Sequence, residues 1–390
     1  MLSYCTNVHQ AETLAGIWES LALHAVPLKR KTSPNAPLGV GLYLPAAAAE
    51  PLANRPESAE DFRAFLAREC LAVETVNAFP YGGFHAGRVK DTVYRPDWTT
   101  ARRLEFTLDA GKALASLLPA KGTGSVSTLP GSWKAWGQDG DRLEKMAANL
   151  LAAAEAFRVI REETGKTLTL CLEPEPGCTL ETTAEAVTFF KERLYRTRSE
   201  ETARRHLGIC LDTCHLAVQF EDLTDSIRLL TQSGIRIGKA QLSSALAVRH
   251  PGNHPEAASA LRGFEEERWL HQVVARTGSS LRRIPDLPLL DTVSEEWLKA
   301  DEWRCHFHVP LDRPEFPPLL TTQAELKAAL PALLALPEPP HMEIETYTWS
   351  VLPESQRPKD AEGLVEGLAR EFAWVKAQFG APARQAGRLF

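Results

Sequence analysis

The sequence predicts an α/β fold, a (β/α)8 barrel, in which eight parallel strands are each followed by a helix. Three observations lead to this prediction. Short apolar runs alternate with segments of helical period, eight such runs are present, and several are hydrophobic without interruption, as in residues 168–172 and 207–211. The predicted strands cover residues 2–7, 38–44, 73–79, 124–129, 167–173, 207–212, 235–242 and 342–346.

The segments between these strands carry helical signals. The clearest covers residues 141–164, where Leu143, Met146, Leu150 and Phe157 recur at three-and-four spacing and Gly165 provides a stop. Another helix begins near Ser58, and further ones are predicted over residues 12–22, 183–194, 323–336 and 361–379.

One domain is predicted over residues 1–390, because a barrel can exceed 400 residues when its loops carry insertions. The regular alternation is interrupted at about 244–304, where Pro, Gly and charged residues follow one another irregularly, and a further strand-like run follows at 305–309. This region is predicted to be a long excursion between strands seven and eight, a place where barrel enzymes often build their pockets.

Composition excludes several classes of protein. The chain is 44% hydrophobic and 24% charged, and no apolar run reaches the roughly 20 residues that a membrane span needs. The first residues lack a basic region followed by an apolar stretch, so we expect no signal peptide and a cytoplasmic location. Seven cysteines at irregular spacing do not form a disulfide framework. A net charge of -6 argues against a general nucleic-acid binder.

Polar residues stand at the ends of consecutive predicted strands. In a barrel these ends form one mouth, so the side chains are expected to converge there. Residues two apart share a face of a strand, which groups Glu343 with Glu345 and His306 with His308. The candidate metal ligands are Glu173, Asp212, His215, Gln241, His306, His308 and Glu345.

Several carboxylates buried in one place would repel one another unless they were protonated or neutralised by a cation. The sequence therefore predicts a divalent-metal site centred on Asp212 and His215. Mixed oxygen and nitrogen ligands are compatible with Mn²⁺, Zn²⁺, Co²⁺ and Mg²⁺, and the residues do not choose among them.

These motifs resemble those of the xylose isomerase-like TIM barrels, which include sugar isomerases, epimerases and endonuclease IV, and the resemblance spans nearly the whole chain. Leu172-Glu173-Pro174 looks like the family's strand-five metal glutamate, Asp212-Thr213-Cys214-His215 like its strand-six Asp-x-x-His motif, and Ile344-Glu345-Thr346 like its strand-eight glutamate. His306-Phe307-His308 is similar to the Asp-x-His pair of endonuclease IV, with the acid replaced.

The combination of Lys239-Ala240-Gln241 with residues 343–349 most resembles the EboE proteins, which are associated with metabolite traffic in bacterial gene clusters. Two departures from the family pattern stand out. Gln241 replaces the usual strand-seven metal histidine, and a three-metal endonuclease site would need early histidines for which only His9 and His85 are candidates.

The resemblance implies a metal-dependent isomerase or epimerase in which Glu173 and Glu345 exchange a proton with a carbon beside a carbonyl of a sugar-like metabolite. His215 and Lys239 are expected to orient substrate oxygens, and His85, Tyr81 and Trp133 to line the substrate pocket. Two alternatives stay open, an endonuclease IV-like phosphodiesterase and a non-catalytic barrel that binds a metabolite.

Overall fold

The structure, a computed structural model, describes residues 1–85 and 87–380. Ala86 and the last ten residues of the domain predicted over 1–390 lie outside the described residues. The strands are β1 (Leu2–Cys5), β2 (Leu38–Tyr43), β3 (Leu71–Asn77), β4 (Thr123–Thr128), β5 (Thr167–Leu172), β6 (Leu207–Asp212), β7 (Ile237–Leu242), β8 (Leu246–Arg249), β9 (Val273–Thr277), β10 (Ser280–Ile284), β11 (Glu302–Cys305), β12 (Glu315–Phe316), β13 (Leu319–Thr321) and β14 (His341–Ile344).

Eight of these strands close into a parallel barrel in the order β1-β14-β7-β6-β5-β4-β3-β2. They are the eight strands predicted from the sequence, with bounds that differ by at most two residues at either end. The (β/α)8 prediction is therefore confirmed. Glu173 and Glu345 directly follow β5 and β14, so they stand at the mouth of the barrel.

The helices of the described residues surround the barrel or belong to the excursion. They are α1 (Leu14–Ser20), α2 (Val26–Thr32), α3 (Ala46–Asn54), α4 (Pro56–Arg68), α5 (Ala101–Leu117), α6 (Gly140–Thr164), α7 (Thr183–Phe189), α8 (Glu200–His206), α9 (Thr213–Val218), α10 (Leu223–Gln232), α11 (Pro255–Arg262), α12 (Gln323–Leu334) and α13 (Ala361–Phe379). Two π-helical segments, Leu21–Ala25 and Phe190–Leu194, continue α1 and α7. Within the described residues, no helix is long and apolar enough to cross a membrane.

The longest helix shows how local sequence sets these bounds. Asp139 accepts a hydrogen bond from the backbone N–H of Arg142 and so caps the first turn of α6. Gly165 ends the helix in a left-handed conformation at φ 72°, which is accessible to a residue without a Cβ.

The excursion after β7 folds into a second, antiparallel sheet in the order β10-β9-β11-β8-β13-β12. This sheet has its own apolar cluster around Leu261, Trp303 and Phe307, and it includes β12 and β13, which lie beyond residue 304. The strand-like run predicted at 305–309 lies mostly outside regular structure, because β11 ends at Cys305. The chain leaves β11 towards the barrel mouth and delivers His306 and His308 there.

The barrel interior is polar beneath the mouth. The ammonium of Lys239 on β7 lies 2.8 Å from Glu343 Oε1 on β14, and both side chains are fully buried. Lys239 also donates a hydrogen bond to Ser127 Oγ over 3.1 Å. A Cβ on Gly41 of β2 would lie 1.3 Å from Glu343 Oε2, so only glycine leaves room for this carboxylate.

Candidate metal centre

Three carboxylates meet at the barrel mouth. Glu173, Asp212 and Glu345 each offer an oxygen within 4.8 Å of the other two, and all three side chains are buried. Each also keeps one buried oxygen without a hydrogen-bond partner among the described residues, namely Glu173 Oε2, Asp212 Oδ2 and Glu345 Oε2. We call these three residues the carboxylate cluster.

The other oxygen of Glu345 is held by two amides. Asn7, just beyond β1, donates to Glu345 Oε1 over 2.7 Å, and Asn77, the last residue of β3, donates to the same oxygen over 3.1 Å. These bonds fix the carboxylate so that Oε2 is free to bind a ligand.

Asp212 combines two tasks because it is both the last residue of β6 and the N-cap of α9. Its Oδ1 accepts hydrogen bonds from the backbone N–H of His215 over 2.9 Å and from Ser243 Oγ over 2.8 Å. This capping geometry explains the three-residue spacing of the Asp-x-x-His motif. The first turn of α9 carries the His215 imidazole back towards the mouth while Asp212 Oδ2 stays available.

Burial raises the pKa of Glu173 and of Glu345 well above the usual range of a carboxyl group. The negative charges of neighbouring carboxylates, Asp212 among them, raise both pKa values further, whereas Lys239 beneath the cluster lowers them. Burial also raises the pKa of Glu175 to about 8, although Tyr94 donates to it over 2.8 Å. Burial and mutual repulsion thus disfavour the charged forms of these groups unless a cation neutralises them, which is the behaviour of a donor set suited to positive charge.

Three imidazoles converge beside the carboxylate cluster. The Nε2 atoms of His306 and His308 are 3.0 Å apart, those of His215 and His306 are 3.1 Å apart, and those of His308 and His215 are 3.4 Å apart. We call these residues the histidine cluster. Three nitrogens bound to one tetrahedral ion at roughly 2.05 Å would be about 3.3 Å apart, which matches this spacing.

The opposite ring nitrogens identify the tautomers. His215 Nδ1 faces the Pro174 carbonyl at 3.1 Å, His308 Nδ1 faces the Glu345 carbonyl at 3.0 Å, and His306 Nδ1 faces Gln272 Oε1 at 2.7 Å. Because these partners accept hydrogen bonds, each Nδ1 carries the proton, and three Nε2 lone pairs point at one another. A cation between them removes the repulsion, and burial lowers the pKa of all three rings, which keeps them neutral.

The two clusters adjoin each other. Asp212 offers an oxygen within 4.8 Å of His215 and His308, so the same carboxylate is within reach of both sets. Glu175 forms a similar group with His215 and His306. The donor atoms therefore fit two divalent cations, one among the carboxylates and one among the imidazoles, with Asp212 placed between them.

The remaining predicted ligand, Gln241, lies inside the barrel. Its Oε1 accepts a hydrogen bond from Cys210 Sγ over 3.1 Å, and its Nε2 has no partner among the described residues. It is paired in register with Asp212 on one side and Glu343 on the other.

A cavity of ≈ 60 Å³ opens above both clusters. Among the predicted substrate-binding residues, His215 lines it, whereas Lys239 lies beneath it in the barrel. His85 points to the Asn7 carbonyl, 2.7 Å away, and Tyr81 and Trp133 line neighbouring grooves.

The cavity walls also include residues that the sequence did not assign. Glu175 stands two residues after Glu173, just beyond β5, and Asn7 and Asn77 stand near the ends of β1 and β3, so their places at strand ends could have found them. The aromatic walls come from loops, where no periodicity applies. These additional lining residues are Asn7, Asn77, Tyr94, Glu175, Trp269 and Tyr347.

Comparison with known proteins bears on the fold. No family model and no curated protein matches the chain. The IolI protein, described with a bound zinc atom, aligns over 98% of this chain and 99% of its own with a TM-score of 0.50 and 10% sequence identity. A D-tagatose 3-epimerase-like protein aligns over 97% of this chain and 99% of its own, with a TM-score of 0.49 and 13% identity.

The probable 3-DHS dehydratase AsbF of Bacillus anthracis aligns over 62% of this chain and 72% of its own, with a TM-score of 0.41 and 14% identity. At these identities the likeness establishes the fold alone. The prediction of a xylose isomerase-like TIM barrel is thus confirmed for the fold. The closer resemblance to EboE proteins stays a prediction.

Proposed function

We propose that the chain is a metal-dependent isomerase or epimerase that moves a proton beside a carbonyl of a small, sugar-like metabolite. The observation that carries this proposal is the carboxylate cluster, with one free oxygen on each residue, beneath a small cavity. A cavity of ≈ 60 Å³ is of the size of a few water molecules, which suits the reacting end of a short polyol. The resemblance to EboE proteins adds a setting of metabolite traffic or secondary metabolism.

We assign the ligands by chemistry. Glu173, Asp212 and Glu345 offer the oxygens that Mg²⁺ and Mn²⁺ prefer, whereas the histidine cluster offers nitrogens suited to Zn²⁺ or Co²⁺. The solved IolI protein, which has the same fold, was described with zinc. A divalent cation bound here supplies charge neutralisation and polarises a substrate oxygen.

The chain's own groups then handle the proton. Glu173 and Glu345 directly follow different strands and both line the cavity, so one carboxylate removes a proton from the substrate and the other returns it. Asn7 and Asn77 keep Glu345 in place, and the aromatic walls Tyr94, Trp269 and Tyr347 exclude water.

Deuterium exchange tests this assignment. The protein is incubated in D2O with a panel of small aldoses and ketoses, and NMR follows deuterium uptake beside the carbonyl. We expect uptake with wild type and with the exposed control Glu338→Gln, and loss with Glu345→Gln even when metal is added until metal analysis of the variant shows the wild-type content. Uptake by Glu345→Gln at the wild-type rate would show that Glu345 does not transfer the proton.

Metal content gives a second test. We expect two ions per chain in wild type, one after His306→Ala, and a loss from both clusters after Asp212→Ala, because Asp212 lies within reach of both. A chain that takes up no metal at micromolar concentration would instead favour the non-catalytic metabolite carrier.

One observation favours a second candidate function, metal-assisted phosphoester hydrolysis. Two adjoining clusters can hold the two cations that clamp a phosphoryl group. The early histidines do not extend this into a third centre, because within the described part of the chain neither His9 nor His85 belongs to a group of three His, Cys or carboxylate donor atoms within 4.8 Å of one another. Cleavage of an abasic-site duplex by the metal-loaded protein would select this candidate over the isomerase.

A further inference from the structure

A groove of ≈ 740 Å³ lies beside the catalytic cavity, on the loops that follow β3 and β4. Three arginines and two aromatic residues dominate its lining, and the other walls come from Pro96, Asp97, Thr99 and Thr100. The five residues, which we call the arginine groove, are Arg95, Arg102, Arg142, Tyr81 and Trp136.

The groove and the cavity share their walls. Pro80 and Tyr94 line the cavity, whereas the next residue in each case, Tyr81 and Arg95, lines the groove. Neighbouring Cα atoms are about 3.8 Å apart, so the groove adjoins the cavity along these two segments.

Aromatic rings hold two of the guanidinium groups in place. Arg95 lies over Trp136 with 4.0 Å between its central carbon and the ring centroid, and Arg102 lies over Tyr81 at 4.7 Å. Arg102 Nε also donates to Tyr81 OH over 3.1 Å. Stacked guanidiniums keep their edges free for a planar or trigonal oxygen acceptor.

Positive charge in the groove exceeds negative charge. Asp97, its one carboxylate, already accepts hydrogen bonds from Arg142 over 2.8 Å and from Ser132 over 2.6 Å. Among the described residues, neither Arg95 nor Arg102 has a carboxylate partner within ion-pair distance. Arg142 Nε is buried and also lacks a partner among these residues. This local excess contrasts with the net charge of -6 for the whole chain.

A fourth arginine makes the groove rigid. Arg103 is fully buried and donates to the carbonyls of Ala78 and Phe79 over 3.0 and 2.9 Å and to that of Pro96 over 2.7 Å. It ties the end of β3 to the loop that carries Arg95, so the arginine positions are set before a ligand arrives.

We propose that the arginine groove binds a phosphate monoester, the phosphate end of the substrate whose other end reacts in the cavity. Guanidinium groups recognise phosphate with paired, charge-assisted hydrogen bonds, and a dianion matches the surplus of positive charge. As a statement about the substrate this rests on the proposed isomerase function. The groove itself can be tested without it.

Isothermal titration calorimetry of the metal-loaded protein at constant ionic strength tests the groove with three probes, inorganic phosphate, a hexose 6-phosphate and the unphosphorylated hexose. We expect both phosphates to bind and Arg95→Ala/Arg102→Ala to weaken each at least tenfold. The control Arg205→Ala/Arg228→Ala removes two exposed helix charges elsewhere and should bind as wild type does. The two substituted arginines are exposed, so the variant is expected to keep its fold, which thermal unfolding checks.

Asp212→Ala separates the groove from the metal centre, which could itself attract phosphate. Phosphate binding that survives Asp212→Ala and is lost in Arg95→Ala/Arg102→Ala supports the groove, even if deuterium exchange has ruled out the isomerase. The opposite pattern, or equal binding by the arginine variant and wild type, overturns the proposal. Hexose 6-phosphate binding at least tenfold tighter than inorganic phosphate identifies the substrate's own phosphate, whereas equal affinities identify a free anion as the ligand of the groove.

Discussion

The buried ion pair inside the barrel leads to a quantitative prediction about stability. Lys239 Nζ and Glu343 Oε1 are 2.8 Å apart, and both side chains are fully buried. At an effective dielectric constant of 20, two unit charges at this distance attract by about 6 kcal/mol. Desolvation offsets much of that attraction, so the pair adds little net stability, but removal of one partner leaves an uncompensated charge.

We therefore expect Glu343→Gln to lower the free energy of unfolding by about 3 kcal/mol and Lys239→Met by about 5 kcal/mol. The difference arises because Lys239 has a second role. After Glu343→Gln it still donates to Ser127 and still faces Glu345, whereas Lys239→Met leaves Glu343 and the carboxylate cluster without a nearby cation. The double variant should unfold within about 2 kcal/mol of wild type, because it removes both charges together.

Urea unfolding at pH 7 with excess chelator measures these values without a contribution from metal affinity. Lys112→Met, on the exposed side of α5, is the matched control and should change stability by less than about 0.5 kcal/mol. If the two single variants each cost less than 1 kcal/mol, or if their effects add in the double variant, the charges are not buried as a pair and the reasoning fails.

Three further changes follow from the same structure. Gly41→Ala should lower the free energy of unfolding in urea by at least about 3 kcal/mol, because its Cβ would lie 1.3 Å from Glu343 Oε2. Gly82→Ala is the control, because its Cβ meets no atom closer than 3.7 Å and should leave stability nearly unchanged. Equal losses of stability in the two variants would contradict this prediction. Glu371 is buried and its pKa in the folded state is raised to about 8, so the folded state keeps a proton that the unfolded state loses. The free energy of unfolding should therefore fall by about 1.4 kcal/mol per pH unit from about pH 4.5 to 8. Glu371→Gln should flatten that part of a profile of stability against pH, and an unchanged slope would refute the assignment. Two variants, Asn7→Ala and Asn77→Ala, each remove a hydrogen bond to Glu345 and should weaken metal affinity about tenfold. Competition with a chromogenic chelator measures this affinity. The control Asn54→Ala changes an exposed asparagine and should leave the affinity unchanged.

The sequence predicted those parts of the site that periodicity controls. Glu173 and Glu345 follow β5 and β14 and Asp212 ends β6, and polar residues at these ends of a parallel barrel are expected at its mouth, so their grouping was predicted without the structure. The three-residue spacing of Asp212 and His215 follows in the same way from the capping of α9.

The sequence did not predict how deep a side chain lies in the barrel or where the side chains of loops point. Lys239 and Gln241 share a face, but Lys239 is two residues earlier on β7, so its backbone lies roughly 6.6 Å deeper and opposite His341. Its long side chain then reaches Glu343 beneath the cavity. Tyr81 and Trp133 are in loops, where no repeat determines the direction of a side chain, and they line neighbouring grooves.

The histidine cluster depends on long-range pairing that sequence spacing does not show. His306 and His308 follow β11, whose register against β8 and β9 fixes where the chain re-enters the mouth. Gln272, which directly precedes β9, then fixes the tautomer of His306. The second sheet therefore contributes to the site, because the segments that adjoin its strands carry the imidazoles of His306 and His308 and the Gln272 amide that orients His306.

Charge inside the barrel connects the fold to the proposed chemistry. Glu173, Asp212, Glu343 and Glu345 are all buried near Lys239, which is the only fully buried lysine among the described residues. One ammonium group cannot neutralise four carboxylates, and that of Lys239 is already paired with Glu343. The remaining negative charge must be met by protons or by bound cations, and only cations leave carboxylates ready to accept a proton from a substrate. The excess of buried negative charge destabilises the folded barrel when no metal is bound. The same excess makes the interior suited to metal-dependent proton transfer.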